Sequence, residues 1–271
     1  MYESYWQLDQ KPFGNSADPR FFFPGESHQS ALLKLRYAVE NRRGGALLAG
    51  AAGTGKTYIM AMLRESLGEG YAPFVHLVYP QMEPGELLAY LADELDGGSN
   101  EGQGIHESIR RIQTALRSNA AQGRHAVVVI DEAHLLENSP MLETLRMLLN
   151  FGPDGSPGMT LLLLGQPGIL PLLDRTPQLE ERLGVKCLLR PFTASETGQY
   201  VNHRLQLAGA RRPIVAPDAV PTLFELTHGI ARQINRLCDL ALLVGFAEEQ
   251  ATLSAAHFEA VCRELVAVVP E

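Results

Sequence analysis

The sequence predicts an α/β fold, with a three-layer αβα domain around a central parallel sheet and a small all-helical domain after it. Three features predict this organisation. A glycine-rich loop at 50–57 separates a short apolar run from a helical pattern. Apolar runs at 125–130 and 159–164 have the length and composition of strands that are buried on both faces. Beyond Pro191 the chain shows only the apolar periodicity of helices.

The composition predicts a cytoplasmic globular protein. Its 271 residues suffice for one α/β domain and a smaller one, and no apolar run approaches the length of a membrane span. The three cysteines are scattered and odd in number, which argues against a disulfide framework and favours a reducing compartment. The net charge of −8 disfavours strong free-standing binding to nucleic acid, although assembly could still create a local basic stripe.

The N-terminal region is rich in aromatic side chains as far as Phe23, and a helical pattern follows over 28–41. We expect the aromatic side chains to hold this segment against a core, because large apolar rings are rarely left in solvent. Arg42, Arg43 and two glycines then end the helix and lead into the first strand.

The loop at 50–57 fits the phosphate-binding pattern G-x-x-x-x-G-K-[ST] at every fixed position. Its residues are Gly50, Ala51, Ala52, Gly53, Thr54, Gly55, Lys56 and Thr57. The backbone N–H groups of such a loop and the helix N-terminus behind it attract phosphate. We therefore expect ATP or ADP here, with Lys56 at the β- and γ-phosphates, Thr57 as a ligand of Mg²⁺ and Tyr58 among the nucleotide contacts. Either Pro12-Phe13 or the aromatic cluster at 21–23 could then cover the adenine ring.

An acidic pair, Asp131-Glu132, follows the strongest strand pattern in the chain. Open parallel sheets bind their ligands at the carboxyl ends of the strands, where this pair would lie. We expect Asp131 to hold the Mg²⁺ shell and Glu132 to polarise the attacking water. An isolated Asp-Glu would instead suggest a helix cap, but the complete phosphate loop favours the nucleotide interpretation.

Gln166 follows the next predicted strand and should reach the same edge of the sheet. It could orient water near the γ-phosphate or simply cap a loop, and both interpretations remain open. Two further strands are predicted at 72–78 and 185–189, which makes five in all, and loops rich in small or turn-forming residues are predicted at 97–104 and 152–158. The predicted helices after Pro191 are 195–208, 217–227, 230–247 and 254–266. The domain boundaries are therefore 1–43, 44–190 and 191–271.

Together these motifs resemble the AAA+ ATPases and, within them, the ExeA/GspA type, which is linked to type II secretion and pilus assembly. The resemblance rests on the phosphate loop and on the runs Leu8 to Phe21, Val129 to His134, Gly165-Gln166-Pro167, Leu189 to Phe192 and Gly229 to Asn235. It implies that Gln166 is the sensor-1 residue and that Arg232 is the sensor-2 residue of the lid, which contacts nucleotide. It also implies that Arg182, or the nearby Arg175, acts as an arginine finger on a neighbouring subunit.

The implied function is Mg²⁺-dependent ATP hydrolysis that drives or regulates a macromolecular assembly. The resemblance implies a nucleotide-dependent homo-oligomer and an unknown protein partner, for example secretion or pilus machinery. Secretion members often carry a membrane span and a peptidoglycan-binding domain after the lid. This chain ends at Glu271 with neither, so we do not expect it to provide an envelope anchor.

Three alternatives remain at this stage. A DNA-associated transposition regulator resembling TniB would use the same core, and the acidic net charge counts mildly against DNA binding. A helicase is disfavoured because only the run Asp131 to His134 matches, without a second helicase-like core. The third alternative is a scaffold that binds ATP and hardly hydrolyses it, which the intact Lys56 and Glu132 argue against.

Overall fold

The structure is a computed structural model that describes residues 1–14, 18–99, 104–136, 140–152 and 156–267. The loops predicted at 97–104 and 152–158 therefore lie partly outside the described residues. Within these ranges the strands are β1 (Gly45–Gly50), β2 (Phe74–Leu77), β3 (Ala126–Ile130), β4 (Met159–Gly165) and β5 (Leu183–Leu189). The helices are α1 (Glu3–Trp6), α2 (Glu26–Glu40), α3 (Lys56–Ser66), α4 (Pro84–Asp96), α5 (Ile105–Ala121), α6 (Met141–Leu148), α7 (Ile169–Asp174), α8 (Pro177–Glu180), α9 (Ala194–Leu207), α10 (Val220–Thr227), α11 (Ala231–Ala247) and α12 (Ala255–Ala267).

The chain divides into two compact units. The first contains Met1–His28, Ala52–Ala61 and Arg190–Glu271, and the second contains Gln29–Ala51 and Met62–Leu189. The phosphate loop thus begins in the second unit, at the end of β1, and continues in the first. The boundaries predicted at 1–43, 44–190 and 191–271 stay a prediction.

The second unit is built on a five-stranded parallel sheet with the strand order β2-β3-β4-β1-β5. Every residue of β1, β3 and β4 is buried, as their uninterrupted apolar runs predict. The edge strand β5 instead alternates between buried and more exposed positions. The predicted α/β class with a parallel sheet is confirmed.

The register of the sheet brings the motif residues to one edge. Ile130 of β3 pairs with Leu163 of β4, and Leu48 of β1 pairs with Leu164. Because the strands are parallel, the residues that follow them, Asp131 and Gln166, leave the sheet at its carboxyl edge.

One face of the sheet packs against five helices. Alternate residues of each strand point to this face. Leu47, Val128 and Leu161 belong to one buried cluster together with side chains of α4 to α8. This cluster is the core of the second unit and fixes the strand ends that carry the acidic pair.

The first unit combines the helices α9 to α12 with the N-terminal aromatic segment. Trp6 is completely buried, and its Nε1–H donates to the carbonyl oxygen of Leu242 at 2.9 Å. Trp6 and Phe13 both belong to the buried apolar cluster of the first unit, which also contains helix side chains such as Phe258. The aromatic residues therefore anchor the N-terminus to the helical part of the chain.

Among the described helices, none combines the length and apolar character that crossing a membrane requires.

Candidate nucleotide-binding site

The phosphate loop joins the end of β1 to the first turn of α3. Gly53 and Gly55 have φ angles of +78° and +104°, a left-handed backbone that residues with a Cβ rarely adopt. Lys56 is buried at the first position of α3, while Thr57 is exposed beside it. This conformation leaves the loop backbone and the helix N-terminus suited to phosphate oxygens.

Arg232, the predicted sensor-2 residue, lies directly against the phosphate loop. Its backbone N–H donates to the carbonyl oxygen of Gly53 at 3.1 Å. A Cβ placed on Gly53 would be only 2.8 Å from the Cβ of Arg232, so glycine is required at this contact. The Arg232 side chain is exposed and makes no ion pair with any carboxylate in the described part of the chain.

His28, which was not predicted from the sequence, supports the loop from the N-terminal segment. Its Nε2 lies 2.9 Å from the carbonyl oxygen of Thr54, which can only accept a hydrogen bond, so Nε2 carries the proton. Burial lowers the pKa of His28, and the ring stacks on Phe192 with centroids 4.8 Å apart. The neutral imidazole therefore holds the loop without adding a charge beside the phosphate site.

A small cavity of about 40 Å³ opens beside Thr54 and Gly55. Phe22 and Tyr58 both line it, and their ring centroids are 5.9 Å apart. The Tyr58 hydroxyl is buried, and burial raises the pKa of Tyr58 to about 12. Of the two candidates for an adenine cover, the cluster at 21–23 lies at this cavity, whereas Phe13 is enclosed in the helical core.

In the second unit, Asp131 is buried directly after β3. Its backbone N–H donates to Leu77 at 2.8 Å, and its Oδ1 accepts the N–H of Glu132 at 2.8 Å. The Oδ2 atom lies 3.5 Å from Nε2 of His76, a residue of β2 that sequence reasoning missed. These contacts fix the carboxylate at the carboxyl edge of the sheet.

Glu132 and Gln166 meet through His134, which the sequence showed only as the last residue of the Asp-Glu-Ala-His run. The backbone N–H of Gln166 donates to His134 Nδ1 at 3.3 Å, and the same nitrogen lies 3.4 Å from Glu132 Oε2. That Oε2 atom is buried and accepts no hydrogen bond from the described residues. The Glu132 side chain as a whole is nevertheless 44% exposed, so the carboxylate can accept a hydrogen bond from water.

Arg182 and Arg175 are both exposed, and neither forms an ion pair within the described residues. Arg182 precedes β5, a strand of seven residues that spans about 23 Å at 3.3 Å per residue. It therefore lies at the amino-terminal ends of the parallel strands, whereas Asp131 and Gln166 lie at their carboxyl ends.

The donor atoms at the predicted magnesium site suit that ion. Thr57 offers a hydroxyl oxygen and Asp131 a carboxylate, and Mg²⁺ is commonly held by one or two such oxygens together with substrate phosphates. Within the described ranges, no cluster of three or more His, Cys, Asp or Glu residues is arranged to hold a metal ion.

A family model described as an AAA domain matches residues 39–173, which span the phosphate loop, the acidic pair and Gln166. Residues 39–173 therefore belong to the AAA domain family. The match includes β1 to β4 and ends within α7, so it covers the sheet edge that carries the motif residues.

The chain is 35% identical over 251 residues to General secretion pathway protein A of Aeromonas hydrophila. The alignment covers 91% of this chain and 45% of the relative, so the chain spans less than half the length of that protein. The predicted resemblance to the ExeA/GspA type is confirmed.

Solved structures support the fold. Cdc6p of Pyrobaculum aerophilum matches with a TM-score of 0.71 and 17% identity, covering 97% of this chain and 75% of that one. The ORC1 protein of Aeropyrum pernix in complex with DNA matches with a TM-score of 0.70 and 16% identity, covering 96% and 69%. The ORC2 protein of Aeropyrum pernix in ADPNP-ADP complexes matches with a TM-score of 0.68 and 16% identity, covering 97% and 74%. At these identities the likeness concerns the fold alone.

Proposed function

We propose that the chain binds ATP with Mg²⁺, hydrolyses it to ADP and phosphate, and uses this cycle to drive or regulate a macromolecular assembly. The observation that carries the proposal is a complete phosphate loop, with left-handed Gly53 and Gly55, in a chain whose acidic pair follows β3, another buried strand of the same sheet. Phosphate transfer requires positioning and charge stabilisation more than covalent chemistry, and these residue types provide both.

The loop backbone from Gly50 to Gly55 would bind the phosphates, and Lys56 would neutralise charge on the β- and γ-phosphates. Thr57 and Asp131 would hold Mg²⁺, which neutralises phosphate charge when it is bound. Glu132, whose side chain is partly exposed, would accept a hydrogen bond from the attacking water. Gln166 would orient that water or sense the γ-phosphate.

Two further contacts of the loop suggest how the nucleotide base and the lid take part. Phe22 and Tyr58 offer aromatic surfaces beside Thr54, so we assign the adenine ring to this side of the loop. The cavity of about 40 Å³ is small, and the rings would have to separate to admit the base. Arg232 is fixed to Gly53 through its backbone, and its exposed guanidinium would contact the γ-phosphate.

Arg182 would complete the site of a neighbouring subunit, with Arg175 as the alternative. Arg182 lies at the amino-terminal ends of the strands, about 23 Å from the carboxyl edge of its own sheet, so its guanidinium cannot reach that edge. An arginine finger acting in trans is consistent with a nucleotide-dependent homo-oligomer.

The assembly itself is proposed from the relative, whose printed name refers to the general secretion pathway. We propose that this chain acts on secretion-related or pilus-related machinery through an unidentified protein partner. Stimulation of hydrolysis by DNA would instead favour the transposition-regulator alternative.

The test is phosphate release and ATP binding by the purified full chain. Lys56→Ala should abolish tight ATP binding or hydrolysis, and Lys34→Ala, which removes an exposed lysine of α2, is the matched control. Glu132→Gln should bind ATP with the parent affinity and lose turnover by about 10²–10⁴-fold, because the group that activates water is neutral. Glu69→Gln, at an exposed loop position, is the control for this change.

Parent rates in both Lys56→Ala and Glu132→Gln would contradict the proposed function. Binding that depends on Lys56, without measurable hydrolysis in the parent protein, would favour the scaffold alternative.

A further inference from the structure

One nitrogen of His134 lies between the ends of two neighbouring strands. His134 belongs to the short 3₁₀ turn Ala133–Leu136, which follows β3, and its Nδ1 accepts the backbone N–H of Gln166 after β4 at 3.3 Å. The same atom is 3.4 Å from Oε2 of Glu132. Since β3 and β4 pair directly in the sheet, His134 links the turn that carries the proposed base to the start of the Gln166 loop.

The hydrogen bond also determines the protonation state of the ring. A backbone N–H can only donate, so Nδ1 must present its lone pair, and a neutral imidazole then carries its proton on Nε2. In this state Nδ1 cannot donate to Glu132. The imidazole therefore holds Gln166 while leaving the buried Oε2 of Glu132 without a donor among the described residues.

The backbone around His134 is built for this close approach. A Cβ on Gly165 would lie 3.1 Å from the backbone nitrogen of His134, so the turn packs tightly on the end of β4. Glu132 adopts a left-handed φ of 50°, held by the bond from its N–H to Asp131 Oδ1 at 2.8 Å. Its carbonyl oxygen accepts the N–H of Leu135 at 2.9 Å, which closes the turn containing His134.

We propose that His134 is a positioning residue for ATP hydrolysis. This inference rests on the proposed function and deepens it. By accepting the Gln166 N–H, neutral His134 fixes the spacing between the γ-phosphate-sensing loop and the Glu132 carboxylate. Without an acceptor at position 134, the two strand ends separate, and Glu132 and Gln166 no longer share one water.

Two substitutions separate positioning from packing. His134→Leu keeps a comparable side-chain volume and removes the acceptor, whereas His134→Gln retains an acceptor in its Oε1. We expect His134→Leu to lower kcat by about 10–100-fold, as misplacement of a catalytic group by about 1 Å does. The Kd for a non-hydrolysable ATP analogue should stay within about twofold of the parent value, because the phosphate loop is untouched. His134→Gln should recover most of kcat, and His106→Leu, at an exposed position, is the matched control.

Nuclear magnetic resonance of the ¹⁵N-histidine-labelled full chain gives an independent measure. The Nδ1 of His134 should show the shift of an unprotonated nitrogen, and the Gln166 amide signal should move in His134→Leu and stay near its parent position in His134→Gln.

Three results would overturn the inference while the parent protein hydrolyses ATP. They are an unchanged kcat in His134→Leu, an equal loss in the Leu and Gln variants, and a proton on Nδ1. If the parent and His106→Leu proteins hydrolyse no faster than Lys56→Ala, the proposed function itself fails, and the positioning role fails with it.

Discussion

The contact between Gly53 and the start of α11 makes Gly53→Ala a demanding test of the structure. The new Cβ would lie 2.8 Å from the Cβ of Arg232 and 3.2 Å from Cγ2 of Ile230, so the backbone on one side must move. The left-handed φ of +78° adds strain for any residue with a Cβ. The substitution therefore combines two costs at one position.

Their sizes follow from general values. A left-handed alanine costs about 1–2 kcal/mol, and overpacking of a well-packed site costs about 1–3 kcal/mol. The sum is about 2–5 kcal/mol, which at about 2–4 °C per kcal/mol corresponds to a fall in melting temperature of roughly 4–20 °C. Because the displaced backbone belongs to the phosphate loop, the affinity for ATP should also fall by at least about tenfold, or about 1.4 kcal/mol.

The assay compares thermal unfolding and ATP binding of Gly53→Ala with those of Gly68→Ala. Gly68 is the matched control, because no atom lies within 4 Å of an added Cβ there and its φ is not positive. Melting and ATP affinity indistinguishable between the two variants would refute the contact between Gly53 and Arg232.

Three further predictions concern other parts of the molecule. Specific activity should rise with protein concentration, because a single subunit lacks the arginine of its neighbour. Mixing Arg182→Ala with Lys56→Ala subunits should restore part of the lost activity, because one interface then combines an intact phosphate loop with an intact Arg182. A rate independent of concentration and no rescue would leave Arg182 an ordinary surface residue. Tyr58→Ala should weaken binding of ATP more than binding of inorganic triphosphate, measured by calorimetry, and an equal effect on both would remove Tyr58 from the adenine contacts. Burial alone would raise the pKa of Glu196, but the hydrogen bond from Arg190 and backbone N–H groups outweigh it and hold this pKa at about 2. A carboxyl group with a depressed pKa stabilises the fold at pH values above its ordinary pKa, and this effect is lost as the pH falls towards 2. Because solvent screens the ion pair with Arg190, Glu196→Gln should reduce the free energy of unfolding by about 1 kcal/mol at pH 7 and by progressively less in urea titrations below pH 4.5. A constant difference across that range would contradict the assignment.

Much of the fold was predictable because its signals are local. The strands β1, β3 and β4 are uninterrupted apolar runs, and burial on both faces requires such runs whatever the rest of the chain does. The phosphate loop and the pair Asp131-Glu132 were equally visible, since their chemistry depends on residues that are adjacent in sequence. Their roles in the site stay predictions.

The sequence alone could not place the three histidines that surround these motifs. His28 is 26 positions from Thr54, and His134 is 32 positions from Gln166, so no local pattern connects either pair. His76 approaches Asp131 only because β2 and β3 are neighbours in the sheet. The residues that flank such a histidine in sequence do not identify its partner, because strand pairing and packing between distant segments determine which residue it contacts.

The N-terminal aromatic residues illustrate the same division. Their composition determined that Trp6 and Phe13 would be buried, because large rings are driven out of water wherever an apolar surface is available. The hydrophobic effect has no direction, so composition could not say which surface would receive them. The tertiary structure decided that they pack with the helices after β5, where the Leu242 carbonyl accepts the Trp6 N–H. Hydrogen bonds are directional, and only the folded chain brings that donor and acceptor into line.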